Sequence, residues 1–325
     1  MELLDSICRK YNLGQKEHSC FPLEGGFLHK TYALFTEKGK FAVKLLNPNI
    51  MQRNTAMANF QRAEKLETIL ESSKIPIVPA LLFEGKKMQN IGEHYFYLYE
   101  FYDGKSLANN EITAEHCKKI GNILARIHQL GRHAEDNVRN KIDIDWDCYI
   151  EQLAIKNQDL SQLLKNNRDI LLESQNNGNL AIKRLPNVVC ICHNDMDSKN
   201  VLWRGGDCRL IDLESLDFSS PYIKLFELAL CWSGYEACNI DFNLFRNFMQ
   251  AYAEAGGNIL PNFETLYWSN FGRLEWLEYN VKRVLGSECS PAEIDVGISE
   301  VKKSMAQIIY YRNIKEELLN YCNAI

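Results

Sequence analysis

Between positions 191 and 212 the chain runs Ile191-Cys192-His193-Asn194-Asp195-Met196-Asp197-Ser198-Lys199-Asn200, then two short apolar-rich runs, then Asp212. This stretch constrains the fold more than any other. Val201-Leu202-Trp203 and Cys208-Arg209-Leu210-Ile211 have strand character, and Arg204-Gly205-Gly206-Asp207 between them is a turn signal. Paired as a hairpin, the two runs carry Asp212 back beside Asn200. One supersecondary unit therefore has to bring an Asp, an Asn and a second Asp together.

Those three residue types suit one chemistry. Magnesium takes hard oxygen ligands and borrows only one or two from protein, and an Asn carbonyl with an Asp carboxylate supplies them. In the pattern H-x-D-x-x-x-x-N followed by a later Asp, the first Asp accepts the proton of an attacking hydroxyl and the other two residues hold metal on nucleotide phosphates. Here these are Asp195, Asn200 and Asp212. Phosphates also need a cationic anchor. Phe41-Ala42-Val43-Lys44, an apolar strand ending in Lys, supplies Lys44. Residues from about Asn54 to Ser72 have helical spacing, with Met57, Phe60, Ile69 and Leu70 apolar; Glu64 on this helix is the expected partner of Lys44. Upstream, Gly25 and Gly26 let backbone N–H groups approach a phosphate without an intervening Cβ.

Taken in order, these pieces resemble the aminoglycoside phosphotransferase and choline kinase superfamily of small-molecule kinases. The resemblance covers roughly residues 20 to 235 and includes Ile75-Pro76-Ile77-Val78-Pro79, Phe96 to Gly104, Leu124-Ala125-Arg126-Ile127-His128 and Ile211-Asp212-Leu213-Glu214. It implies an α+β, two-lobed, protein-kinase-like fold, with an antiparallel sheet and one helix in the N-lobe and a mostly helical C-lobe. The N-lobe is expected over 1–101, binding nucleotide, and the catalytic and acceptor-binding C-lobe over 102–325. It further implies ATP or GTP as co-substrate, Mg2+ as cofactor, and adenine recognition by main-chain groups of Glu100 and Tyr102 at the interlobe hinge. Asn194 stands where the superfamily usually has Gly and protein kinases have Arg. Leu213-Glu214 replaces Phe-Gly, and a helix follows near Pro221, leaving no room for an activation loop. Both departures disfavour a protein kinase. Glu227 stands where the superfamily often has Asp.

The net charge of −5 and the lack of a basic block exclude nucleic acid as a partner on electrostatic grounds. Eleven scattered cysteines without a C-x-x-C fit reduced thiols in the cytoplasm. Cys190, Cys192 and His193 cluster in sequence but lack a second ligand pair, so no zinc site is expected. Asp143, Asp145 and Asp147 start like a calcium loop, yet Cys148 and Ala154 occupy the positions that need Gly and Glu. A polar turn before a helix over Tyr149 to Leu164 is expected instead. No apolar run reaches membrane-spanning length.

Strands are expected over Thr31–Leu34, Lys40–Leu46, Ala80–Glu84 and His94–Tyr99, then helices from an N-cap at Thr113. The Asn/Gln-rich patch from Asn166 to Asn179 is expected to be a polar loop. For the acceptor, two C-lobe segments offer aromatic and acidic groups. One holds Trp232, Tyr235 and Glu236. The other is a helix over Trp268 to Leu285 carrying Glu275, Trp276 and Tyr279. Such faces suit an amine or ammonium through cation–π attraction and ion pairing. The expected activity is kinase transfer to a hydroxyl of a small, amine-bearing molecule of aminoglycoside type. Metabolic kinases of choline, ethanolamine or sugars, and a nucleotide-binding pseudokinase acting as a binding module, are the competing readings.

Overall fold

The computed structural model describes residues 2–17, 20–23, 29–136, 139–287 and 291–322. The chain forms two compact units, Met1–Asn110 with His193–Asp217 and Glu111–Cys192 with Phe218–Ile325.

The first unit opens with α1 (Glu2–Lys10), followed by β1 (Phe21–Leu23), β2 (Lys30–Thr36) and β3 (Gly39–Leu45). After α2 (Pro48–Met51) and α3 (Ala56–Ser72) come β4 (Gln89–Ile91) and β5 (His94–Glu100). The strands form one antiparallel sheet in the order β1-β2-β3-β5-β4. Period-two alternation buries Leu34, Val43, Phe96 and Leu98 together against Leu4 and Ile7 of α1. Helix α3 lies where helical spacing places it, but its buried face is Phe60, Ala63, Leu66, Glu67 and Leu70, and Met57 and Ile69 are exposed. Glu67 is tolerated inside because Lys87 Nζ and the Ala80 N–H both reach its Oε1 at 2.7 Å. That bond has a cost to the sheet. The Ala80 N–H is committed to Glu67, so the strand expected over Ala80–Glu84 is reduced to isolated bridges at Ala80 and Phe83.

The remainder of this unit is the hairpin Val201–Arg204 with Asp207–Leu210, paired Val201 to Leu210 and Arg204 to Asp207 as the sequence implied. Gly205 takes φ +60° at its tip. Lys105 exchanges two backbone hydrogen bonds with Trp203, 2.8 and 2.9 Å, which ties the hairpin to the segment after β5. Gly104 permits this approach. A Cβ there would lie 2.6 Å from the Tyr102 ring and 3.0 Å from the Trp203 carbonyl oxygen.

The second unit is mostly helical. It runs α4 (Ala114–His128), β6 (His133–Ala134), α5 (Trp146–Lys156), α6 (Gln158–Asn166), α7 (Arg168–Ala181) and β7 (Val188–His193). It resumes with α8 (Pro221–Cys231), α9 (Phe242–Glu254), α10 (Phe263–Ser269), α11 (Gly272–Val284), α12 (Pro291–Asn313) and α13 (Lys315–Cys322). Helices α4 and α9 approach closely at Gly121, where a Cβ would sit 2.5 Å from the Phe248 carbonyl oxygen. A second core joins Trp146, Leu153, Leu160 and Leu171 to Leu277, Val281 and Met305. Among the described residues, no helix is long and apolar enough to cross a membrane.

Three helix expectations need correction here. The helix expected over Tyr149–Leu164 is two, broken at Asn157, whose extended backbone ends α5 while its side chain caps Leu160 N–H. The helix expected over Trp268–Leu285 is also two, so Trp268 on α10 does not continue the stripe of Glu275 and Tyr279 on α11. The Asn/Gln-rich patch is helix α7, because its amides serve the interior. Gln175 Oε1 accepts from the Ile144 N–H at 3.1 Å, and Asn179 brackets Ile142, accepting from its N–H at 3.0 Å and donating to its carbonyl at 2.7 Å. Asn179→Ala strands both buried backbone groups of Ile142. It is expected to cost about 2–3 kcal/mol of unfolding free energy in urea. Asn176→Ala, on the exposed side of the same helix, is expected to cost little.

Candidate active site

The site grows from the end of β7. His193 is 1% exposed and cross-links the loop that follows. Its Nε2 lies 2.8 Å from the Ile211 carbonyl, which can only accept, so the proton is on Nε2 and Nδ1 is the acceptor. Nδ1 then receives the Asp195 N–H at 3.3 Å, with Ser215 Oγ at 3.1 Å. Burial lowers the pKa of this imidazole, which favours the neutral form that such bonds require. Asn194, the residue that departs from Gly, donates its amide to the Ser215 carbonyl at 2.9 Å and so adds a second tie.

Asp195 is aimed by Asn200. The Asn200 amide nitrogen donates to Asp195 Oδ2 at 2.9 Å and to the Asp195 carbonyl at 2.8 Å. The amide oxygen of Asn200 is thereby the end left to serve as a ligand. The Ile211 N–H returns to the Asn200 carbonyl at 3.0 Å, so the hairpin delivers Asp212 next to Asn200 as its sequence implied. Asp212 itself has φ +65° and ψ +44°, a left-handed conformation that Asp and Asn tolerate better than other side chains do. Backbone strain of this kind is retained where a side chain must be aimed.

Lys44, only 7% exposed, reaches from β3 and contacts both Asp212 and Glu214. Burial opposes its charge, but the two carboxylates outweigh burial and raise its pKa. Burial likewise opposes ionisation of Asp212, and Lys44 reverses that effect and holds the carboxyl below its usual range. Glu214 is pushed up to about 6, first by burial and then by Asp212, against the pull of Lys44. The expected partnership of Lys44 with Glu64 is corrected: Glu64 Oε1 instead accepts from the Tyr97 hydroxyl at 2.9 Å and the Met88 N–H at 3.1 Å. Glu214, two residues past Asp212, is the missed residue. The Asp-x-Glu spacing was its only signal, and the tight turn Leu213–Ser215 is what folds it back.

The donor set fits a hard divalent cation. Asn200 Oδ1 and the Asp212 carboxylate are oxygens of the kind such a cation would take. The buried Oε2 of Glu214, whose other oxygen Lys44 contacts, has no hydrogen-bond partner among the described residues and is a further oxygen beside them. Gly25 and Gly26 lie outside the described residues. At the expected hinge, Glu100 is exposed at the end of β5 opposite Phe41, and the Tyr102 carbonyl accepts from the Gly104 N–H at 2.9 Å. The Tyr102 ring is flanked by Arg204 and Arg209, 5.1 and 5.8 Å from its centroid.

The residues chosen for an acceptor are not an open aromatic and acidic face. Trp232 is fully buried and Tyr235 is 6% exposed, so both are core. Glu236 is ion-paired with Arg273 and with Lys303, and Glu275 with Arg139. Trp276 stacks on Tyr279 with centroids 5.4 Å apart and donates its indole N–H to Glu300 at 3.0 Å. Arg283 already lies over the Tyr279 ring, 5.2 Å from its centroid. Arginine has taken the places foreseen for an amine.

Chain-wide comparison supports the same reading as the Asp195 loop. Residues 20–267 match the model of the phosphotransferase enzyme family. The chain belongs to that family. Its phosphotransferase fold is similar to that of a spectinomycin phosphotransferase solved with ADP and spectinomycin, with TM-score 0.71, 14% identity, and coverage of 96% of this chain and 98% of that one. An amicoumacin kinase solved with AMP-PNP and Ca2+ aligns with TM-score 0.62 at 12% identity, covering 93% of each chain. A choline/ethanolamine kinase family protein from Mesorhizobium loti aligns with TM-score 0.59 at 14% identity, covering 94% and 98%. We found no match among curated protein sequences. The two-lobed α+β kinase fold is thus that of this phosphotransferase, and small-molecule kinases are its structural neighbours.

The thiols of the second unit are not part of this chemistry. Cys190, Cys192 and His128, rather than His193, form a buried cluster, with Cys192 Sγ 3.7 Å from Cys190 Sγ and 3.5 Å from His128 Nε2. Burial, and then the neighbouring Cys190 thiol, push the Cys192 thiol far up. His128 Nδ1 meets the Tyr252 hydroxyl at 3.0 Å, and burial pushes this imidazole down to about 3 from 6.5. The folded pKa lies below the unfolded one, so the stabilisation is present above pH 6.5 and is lost as pH falls toward 3. Between pH 7 and pH 5 this single group is expected to cost about 2 kcal/mol of unfolding free energy. His128→Gln is expected to show a correspondingly smaller loss over the same interval.

Proposed function

We propose that this phosphotransferase moves the γ-phosphoryl group of ATP to a hydroxyl of a small molecule. The observation that carries the reading is the Asp195 carboxylate, aimed by the Asn200 amide, with Asp212 returned beside Asn200 by the hairpin. Asp195 takes the hydroxyl proton as the acceptor oxygen bonds to the γ-phosphorus and the bond to the bridging oxygen breaks, releasing ADP. Asn200 and Asp212 would hold Mg2+, which neutralises charge on the nucleotide phosphates. Lys44 anchors the phosphates; Gly25 and Gly26, the other expected phosphate contacts, lie outside the described residues. Main-chain groups of Glu100 and Tyr102 receive the base. On this reading residues 1–101 bind nucleotide, and 102–325 contribute the catalytic loop and the acceptor site.

ATP is favoured over GTP because two of the similar structures named above, the spectinomycin phosphotransferase and the amicoumacin kinase, hold ADP and AMP-PNP. Those proteins and the choline/ethanolamine kinase relative suggest hydroxyl-bearing antibiotics and amino alcohols as first acceptors to try. The test is magnesium-dependent release of ADP and of GDP with a panel of aminoglycosides, spectinomycin, choline, ethanolamine and sugars. Release stimulated by one class names the acceptor. MgATP binding without stimulated release by any of them would favour a pseudokinase.

A further inference from the structure

Lys199 lies in the catalytic loop but has no role in the mechanism above. It sits in the single tight turn Ser198–Asn200, between the proposed base and the proposed metal ligand. Its Nζ lies 2.9 Å from Asp197 Oδ2 and 3.4 Å from Asp195 Oδ1. Asn200 holds the other oxygen of Asp195, so the base is gripped by a neutral amide on one side and a cation on the other. The site therefore carries a second cation, distinct from Lys44 and adjacent to the base.

Charge moves during transfer in a way that makes this placement useful. Before reaction Asp195 is an anion and pairs with Lys199. As the acceptor proton reaches Asp195, that carboxylate becomes neutral and its hold on the ammonium weakens. At the same moment negative charge is spread over the oxygens of the phosphoryl group in flight, next to the hydroxyl that Asp195 has just deprotonated. The Asp197 carboxylate, 2.9 Å from Nζ and not a proton acceptor in this step, keeps the ammonium in place. From this arrangement, and resting on the phosphoryl-transfer reading above, we propose that Lys199 is a catalytic residue. Its ammonium, tethered by Asp197, neutralises the transferring phosphoryl group. Preorganised cations aimed at developing charge are worth far more than the same charge at a solvated surface. A lysine serving only as a half-exposed i,i+4 ion pair would contribute almost nothing.

The experiment uses the full chain, MgATP, and whichever hydroxyl compound of the panel gives the fastest ADP release, with water as a second acceptor. Lys199→Met is expected to lower kcat by about 10²-fold. The KM and Kd for MgATP should stay near wild type, since ground-state phosphate binding belongs to Lys44 and the metal. Lys199→Arg, which restores the cation, is expected to recover most of the lost rate, whereas a merely structural role would leave kcat indifferent to charge. Unfolding of all three proteins in urea is expected to coincide. Wild-type kcat in Lys199→Met, or no recovery in Lys199→Arg, overturns the assignment while leaving the kinase reading in place. A wild-type protein that transfers phosphoryl to no acceptor, water included, overturns the kinase reading and this one with it.

Discussion

Asp195→Asn is expected to lose about 10²–10⁴-fold in kcat while binding MgATP as the wild type does. The substitution is nearly isosteric and removes the basicity together with the charge that pairs with Lys199, whose other partner Asp197 is kept. The loop geometry does not depend on that charge, because the Asp195 N–H and carbonyl are held by His193 and Asn200. Nucleotide affinity belongs to other groups, Lys44 and the metal ligands. The readouts are steady-state ADP release for kcat and calorimetric titration with MgATP for binding. A variant that turns over at the wild-type rate would show that the acceptor hydroxyl needs no base at this position. A variant that also fails to bind nucleotide would place Asp195 among the phosphate or metal contacts.

Asp212→Asn is expected to reduce kcat on the order of 10²-fold or more, with loss of the magnesium-dependent part of nucleotide affinity. Asn is the informative replacement because position 212 has φ +65°, which Asn adopts readily and Ala does not. The backbone is preserved and a single charge is removed. Lys44 keeps Glu214 as a partner, so the ammonium is not left alone in the interior. In the wild type, chelation with EDTA is expected to weaken ATP binding. In Asp212→Asn, binding with and without magnesium should nearly coincide. Full magnesium dependence in the variant would remove Asp212 from the metal site.

The residues that were legible in the sequence are those whose geometry is local. His193, Asp195, Asn200 and the 201–210 hairpin lie within one short stretch, and backbone pairing there is fixed by a turn and two strands. The path of β3 places Lys44, again by strand periodicity. What failed was whatever depended on packing between distant segments. Glu64 was a reasonable partner for Lys44 by helix position, but Tyr97 and Met88 take its carboxylate, and Glu214 is folded back by a turn that hydropathy does not encode. Asn179 and Gln175 look like loop residues by composition, yet they sit in a helix because two buried backbone groups need their amides. Trp232 and Tyr235 were read by chemistry as a recognition surface and were claimed by the core. Aromatic side chains serve both purposes, and only burial distinguishes them.

The most direct measurement follows the phosphoryl group itself. Wild type and Asp195→Asn would be incubated with MgATP and each compound of the acceptor panel, and the products read by mass spectrometry and phosphorus NMR. The expected result is a phosphate monoester on a hydroxyl of one compound class, formed only with magnesium and only by the wild type. A wild-type protein that binds MgATP and yields no phosphomonoester with any compound, or an Asp195→Asn variant that yields it equally fast, would contradict the assignment of a kinase with Asp195 as its base.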